Sequence, residues 1–195
     1  MKVKICGITS FEDAEICNEL GADILGFVHF PGRPRSLTLD SVAGICDSLA
    51  PGSIKALVCA PESVDDAAYL LSRSRADVLQ TYTLDPDEIQ TLGEIGVKVM
   101  RVVLPSREEA MRFRSCADAL VYESGVPGSG SSYDYSTAPL GSCSREFIAG
   151  GLNRNNISCV KSLGPYGVDV SSGVESHPGR KDPEKVRMFI EGCRD

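Results

Sequence analysis

Short apolar, β-branched runs recur along the chain, and each gives way to a polar turn and then to a stretch with helical spacing. The runs are Val3–Cys6, Ile24–Val28, Ile54–Cys59, Val78–Gln80, Val97–Val103, Ala119–Glu123, Phe147–Gly150 and Gly167–Val170. Most are nearly continuous in apolar character rather than alternating, as expected of parallel strands covered on both faces. Between them, Ser10 with Glu12 and Asp13 opens a helix that ends near Gly21, and Asp40–Leu49 stops before Pro51-Gly52. Pro61-Glu62-Ser63, Pro86-Asp87-Glu88 and Ser106-Arg107-Glu108-Glu109 start three more. Asn153–Leu163 ends at Gly164-Pro165, and Pro183–Cys193 follows the last strand. Proline and acidic residues at the starts and glycine after the ends are the expected punctuation. A shorter helix is expected around Ser136–Ser142.

Eight strand signals in 195 residues repeat about every 24 residues, close to the least that a strand, a helix and two loops require. Alternating βα units imply a parallel sheet, and eight of them imply closure into one (β/α)₈ (TIM) barrel domain over residues 1–195. The rival, a doubly wound open sheet, has about five or six strands and often a glycine-rich first turn. Here that turn is Cys6-Gly7-Ile8-Thr9, with one glycine.

Composition changes this picture little. At 42% hydrophobic and 24% charged residues the usage is ordinary for a globular domain, and a net charge of -7 argues against a nucleic-acid backbone as partner. No apolar run approaches the roughly 20 residues that cross a bilayer, and MKVKICGITSFEDAE reads as no secretory signal. A cytoplasmic enzyme with a small-molecule substrate is expected, acting on neither nucleic acid nor membrane. Cysteines at 6, 17, 46, 59, 116, 143, 159 and 193 include no C-x-x-C pair, and neither His29 nor His177 neighbours one. Such scattered thiols read as small buried apolar residues rather than metal ligands or disulfides.

In a barrel of this kind the chemistry gathers at the carboxyl ends of the strands. The last two carry Ala149-Gly150-Gly151-Leu152 and Val168-Asp169-Val170-Ser171-Ser172-Gly173-Val174-Glu175. Small residues at consecutive late strand ends let backbone N–H groups close around a phosphate. The sixth strand ends at Glu123, followed by Ser124-Gly125-Val126-Pro127-Gly128-Ser129-Gly130-Ser131-Ser132, which reads as a lid over a reaction that must exclude water. Arg33 and Arg35 follow the second strand, where an arginine can clamp a carboxylate in bidentate fashion. Cys6 ends the first strand; by spacing alone a packed thiol is the better reading than a catalytic base.

Lys4-Ile5-Cys6-Gly7-Ile8-Thr9, Gly21-Ala22-Asp23 with Gly26-Phe27-Val28, Pro34-Arg35, Gly128–Ser131, Ala149-Gly150-Gly151-Leu152, and Asp169–Glu175 with Pro178-Gly179 and Lys181-Asp182 together resemble the phosphoribosylanthranilate isomerase family. The resemblance runs over nearly the whole chain. It implies a (β/α)₈ barrel in tryptophan biosynthesis and an Amadori rearrangement that uses neither metal nor redox cofactor. It also leaves room for a homodimer. By the same resemblance Cys6 matches the general base, reversing the reading from spacing, and Glu123 stands where the family has an aspartate as general acid. Arg35 then matches the arginine that meets the anthranilate carboxylate, and Asp169 an aspartate near the sugar and amine. Gly150, Gly151, Ser172 and Gly173 match the phosphate loops, and Gly130 the lid. The fourth strand departs: the family's Gln-Leu-His-Gly is Gln80-Thr81-Tyr82-Thr83 here, keeping Gln80 as a substrate contact. Two alternatives stay open. One is a related or dual-substrate sugar-phosphate isomerase, which would pair two aspartates. The other is a non-catalytic barrel that binds a phosphorylated metabolite.

Overall fold

A computed structural model describes residues 1–124 and 131–194. Eight parallel strands close into a barrel in sequence order: β1 (Lys2–Cys6), β2 (Ile24–Val28), β3 (Ile54–Cys59), β4 (Val78–Thr81), β5 (Val99–Val103), β6 (Ala119–Tyr122), β7 (Glu146–Ile148) and β8 (Gly167–Val170). Closure pairs Lys4 of β1 with Asp169 of β8, and on its other side Cys6 pairs with Gly26 of β2.

Among the described residues, seven α-helices run between and after the strands: α1 (Phe11–Glu19), α2 (Leu39–Ser48), α3 (Val64–Ser74), α4 (Pro86–Glu94), α5 (Arg107–Phe113), α6 (Ile157–Ser162) and α7 (Pro183–Arg194). The expected starts are the observed caps. Ser10, Ser63 and Ser106 accept N–H bonds from Asp13, Asp66 and Glu109, while Asp85 and Glu88 form a reciprocal capping box. Each such cap is worth about 1 kcal/mol.

Strand side chains alternate between two apolar layers. Val3, Ile5, Leu25, Phe27, Leu57 and Leu79 pack outward beneath the helices, whereas Ile24, Ala56, Val78, Met100, Val121 and Phe147 fill the barrel. Gly167 makes room at the base, since a Cβ there would overlap the Phe147 ring. Period-two alternation then puts Lys4, Cys6, Gln80, Tyr82, Glu123 and Asp169 on the inward parity.

Three expectations are corrected. In place of a helix at Ser136–Ser142 the chain makes one 3₁₀ turn, Tyr135–Thr137. Buried Glu146 at the start of β7 serves this segment instead, accepting the N–H groups of Gly141, Ser142 and Cys143 and the hydroxyl of Tyr122. The Asn153–Leu163 helix is confined to α6, because the Asn153 and Asn156 side chains engage the preceding backbone in turns. The buried-thiol reading holds for Cys17, Cys46, Cys59 and Cys193; Cys6, Cys116 and Cys143 are half-buried and Cys159 is exposed. A small hairpin, β9 (Glu175–His177) with β10 (Arg180–Lys181), follows β8 and was not anticipated. Among the described residues, no helix is long and apolar enough to cross a membrane.

Candidate active site

A cavity of about 450 Å³ opens at the carboxyl ends of the strands and is lined by Cys6, Gln80, Tyr82, Glu123, Asp169 and Ser172, among others. Arg33, Arg35, Gly150, Gly151 and Ser171 complete its polar rim. Gly130 lies outside the described residues, as does most of the expected lid. A smaller hollow of about 360 Å³ sits at the opposite end of the barrel, lined by residues such as Asn18, Ile24 and Tyr166. That is the face of such barrels that serves stability rather than chemistry.

The β1 side of the cavity is built on charge. Lys4 is fully buried and donates to Asp169 Oδ2 at 2.8 Å. Burial works against the Lys4 charge, but Asp169 and the neighbouring Cys6 outweigh it and raise its pKa to about 12. The space for this pair comes from Gly26, where a Cβ would lie 2.9 Å from both Cys6 Sγ and Lys4 Nζ. Burial raises the Cys6 thiol above its ordinary pKa; the Lys4 ammonium opposes that shift and Asp169 adds to it, leaving the net direction upward. The thiolate is thus a strong base when it forms, held beside a fixed cation.

Behind the thiol lies a second charged cluster. Lys181, also buried, donates to the Cys6 carbonyl at 2.6 Å and to Glu175 Oε1 at 2.9 Å. Arg35 closes on the same carboxylate through Nε at 2.8 Å and Nη2 at 2.7 Å. Together Arg35 and Lys181 hold the Glu175 carboxyl below its ordinary pKa, against the opposing effect of burial. Glu175 therefore takes the Nε side of the guanidinium and leaves the Nη1 edge for a ligand carboxylate. Gly7, at φ +74°, lets the arginine lie flat: a Cβ there would meet Arg35 Cδ at 2.6 Å and Ser171 Oγ at 2.8 Å.

Across the cavity the Tyr82 hydroxyl donates to Glu123 Oε2 at 3.0 Å. The Tyr82 ring meets Phe30 edge-on, with centroids 6.1 Å apart, and so forms part of an aromatic wall. Between the two sides, Gln80 Oε1 and Asp169 Oδ1 are buried acceptors that find no donor among the described residues. Buried acceptors of that kind are rarely left unpaired, so they suit the hydroxyl or amine hydrogens of a bound ligand.

Gly150 and Gly151 adopt φ +88° and +64°, conformations that L side chains rarely accept. Gly173 does not line the cavity. A Cβ there would overlap the Leu152 carbonyl oxygen, so its role is the close approach of the β7 and β8 turns. Ser172 begins a 3₁₀ turn, Ser172–Val174, at the cavity edge. Among the described residues, no group of three His, Cys, Asp or Glu side chains could hold a metal ion.

The structure brings Cys6, Glu123, Arg35, Gln80, Asp169, Gly150, Gly151 and Ser172 to one cavity. Sequence reasoning missed Lys4, Glu175 and Lys181 as parts of the site. Strand alternation carried the signal for Lys4: a lysine on the inward parity of β1 needs a buried anion, and Asp169 has the same parity in β8.

A thiol and a carboxyl facing one cavity, with arginines and glycine turns at its edge, suit proton transfer within a small anionic metabolite. The fold and site thus define an acid–base isomerase of the (β/α)₈ class. The model of the N-(5'-phosphoribosyl)anthranilate (PRA) isomerase family matches residues 3–192, and the chain belongs to that family. It is similar to the N-(5'-phosphoribosyl)anthranilate isomerase of Geobacter sulfurreducens, 39% identical over 199 residues and covering 97% of each chain. Among solved structures, phosphoribosyl anthranilate isomerase from Thermus thermophilus has a TM-score of 0.91 at 32% identity, with 100% of this chain and 98% of that one covered. A phosphoribosyl anthranilate isomerase in complex with reduced 1-(o-carboxyphenylamino)-1-deoxyribulose 5-phosphate has a TM-score of 0.87 at 29% identity, covering 100% and 98%.

Proposed function

We propose that this chain performs the family's isomerisation of N-(5'-phosphoribosyl)anthranilate, a step of tryptophan biosynthesis, with Glu123 as general acid and Cys6 as general base. The single observation that carries the assignment is that both line one cavity, Cys6 at the end of β1 and Glu123 at the end of β6.

The steps balance without any outside reagent. Glu123 gives its proton to the furanose ring oxygen as the nitrogen lone pair opens the C1'–O bond, leaving a Schiff base. The Cys6 thiolate removes the C2' proton, and the electrons left behind neutralise the iminium nitrogen to give an enolamine. Ketonisation, in which C1' gains a proton and the enol hydroxyl loses one, then yields 1-(2-carboxyphenylamino)-1-deoxyribulose 5-phosphate, and proton exchange with water returns Cys6 to the thiolate and Glu123 to the acid. The Gly150-Gly151 turn and Ser172 hold the phosphate, so that binding energy far from the reacting carbon orients it. The free Nη1 edge of Arg35 receives the anthranilate carboxylate, and the aromatic wall of Phe30 and Tyr82 suits its ring. Gln80 Oε1 and Asp169 Oδ1 accept from the sugar hydroxyls and the amine.

Loss of phosphoribosylanthranilate fluorescence, with the substrate formed in situ, tests this reading. Rapid loss that chelator does not slow is expected. Loss no faster than the uncatalysed rate, in a folded sample, would favour the non-catalytic binding barrel.

A further inference from the structure

The Tyr82–Glu123 contact is the part of the site that neither strand-end position explains by itself. β5 lies between β4 and β6 in the barrel, so the two strands stand roughly 10 Å apart at the spacing of neighbouring strands. A phenol reaching from the end of β4 and a glutamate reaching from the end of β6 span that gap, and their oxygens meet at 3.0 Å. The ring cannot swing away freely, because Phe30 stands against it at 6.1 Å and 69°. Burial, and after it the facing carboxylate, push the Tyr82 phenol well above its ordinary pKa, so its proton stays on the oxygen and it acts toward Glu123 as a donor.

We propose that Tyr82 is a positioning residue for the catalytic proton: its hydroxyl holds the Glu123 carboxyl through Oε2 and favours the carboxylate that proton transfer leaves. This rests on the reading of Glu123 as the general acid. When Glu123 gives its proton to the substrate ring oxygen, it becomes a carboxylate. The phenol bond then strengthens, as bonds to an ionised acceptor do. The contact favours the state after transfer over the state before it, which is the condition for lowering a barrier rather than only tightening binding. It also gives the longer glutamate arm a fixed end.

The test combines two readouts. Protein with ¹³C-labelled glutamate carboxyls is titrated by NMR, Glu123 being identified by the signal lost in Glu123→Gln. Turnover of phosphoribosylanthranilate is followed across pH in the same variants. Among the described residues, Cys6, Asp169, Arg33 and Arg35 in the cavity, Lys4 beneath it and Tyr133 from the segment after β6 are titratable or charged groups of this region. All of them persist in Tyr82→Phe. That variant is expected to raise the Glu123 midpoint by about half a pH unit or more, since a donor to the charged form is gone. Its kcat is expected to fall about tenfold with KM within about twofold, and the alkaline limb of kcat to move up with the midpoint. Glu123→Asp withdraws the carboxyl from the phenol, so adding Tyr82→Phe to it costs little more.

An unmoved midpoint, an unchanged kcat, a raised KM at constant kcat, or full additivity in the double variant would each overturn the positioning role. An inactive wild type would overturn the acid assignment and this proposal together. An active wild type with any of those four results overturns the proposal for Tyr82 alone.

Discussion

The two sides of the cavity hold their proposed proton-transfer groups in different ways. On the β1 side, Cys6 sits among Lys4 paired with Asp169 and among Lys181 and Arg35, which share Glu175, and the backbone carbonyl of Cys6 is itself tied down. On the far side, Glu123 meets an uncharged phenol from a strand that is not its neighbour in the sheet. The charged residues that match the family's pattern cluster on the first side, and the departures that line the cavity, Glu123 and Tyr82, lie on the second. A buried ionic network resists piecemeal change, because removal of one partner leaves another charge unpaired. A neutral donor facing a carboxylate can be exchanged together with it at less cost. The proposed base is fixed by its surroundings, whereas the proposed acid admits a paired replacement.

Three substitutions sharpen that contrast, in decreasing order of effect. Lys181→Met leaves the Cys6 carbonyl without its donor and Glu175 with Arg35 alone. It is expected to cost about 3–5 kcal/mol in stability, read by urea unfolding; a loss under about 1 kcal/mol would show that the network is not what holds this side. Glu123→Gln keeps the shape and removes the transferable proton, so kcat is expected to fall by at least about 10²-fold while the fold is retained. Wild-type turnover in that variant would move the acid elsewhere. Lys4→Met removes the cation that opposes the effect of burial on Cys6. The base works only when deprotonated, so activity rises with pH through the thiol's titration, and a further upward shift lowers the active fraction at neutral pH. About a tenfold loss of kcat/KM near pH 7 is expected for each unit of that shift, with recovery at alkaline pH. An unshifted acid-side limb would show that Lys4 does not tune the thiol.

The barrel itself was readable from the strands. Ile24–Val28, Ile54–Cys59 and Gly167–Val170 stand as their apolar runs predict, because a strand covered on both faces leaves an unbroken apolar signature. The start of β5 was misplaced at Val97, whose N–H instead bonds the Leu92 carbonyl after Gly96 turns the chain at φ +84°. The β6–β7 connection misled for a different reason: its order comes from Glu146, a carboxylate whose partners no local spacing announces. The same holds in the site. Cys6, Glu123 and the glycine turns declare themselves as strand ends, but Lys4 and Asp169 are 165 residues apart in sequence and become neighbours only when the barrel closes.

The assignment of the base is tested most directly by Cys6→Ala, comparing turnover of phosphoribosylanthranilate with affinity for the reduced product analogue. Turnover should disappear while the analogue binds within about threefold of wild type, as expected when a proton-transfer group is lost without a binding contact. Retained turnover, or a loss of binding as large as the loss of turnover, would contradict the role of Cys6 as the base.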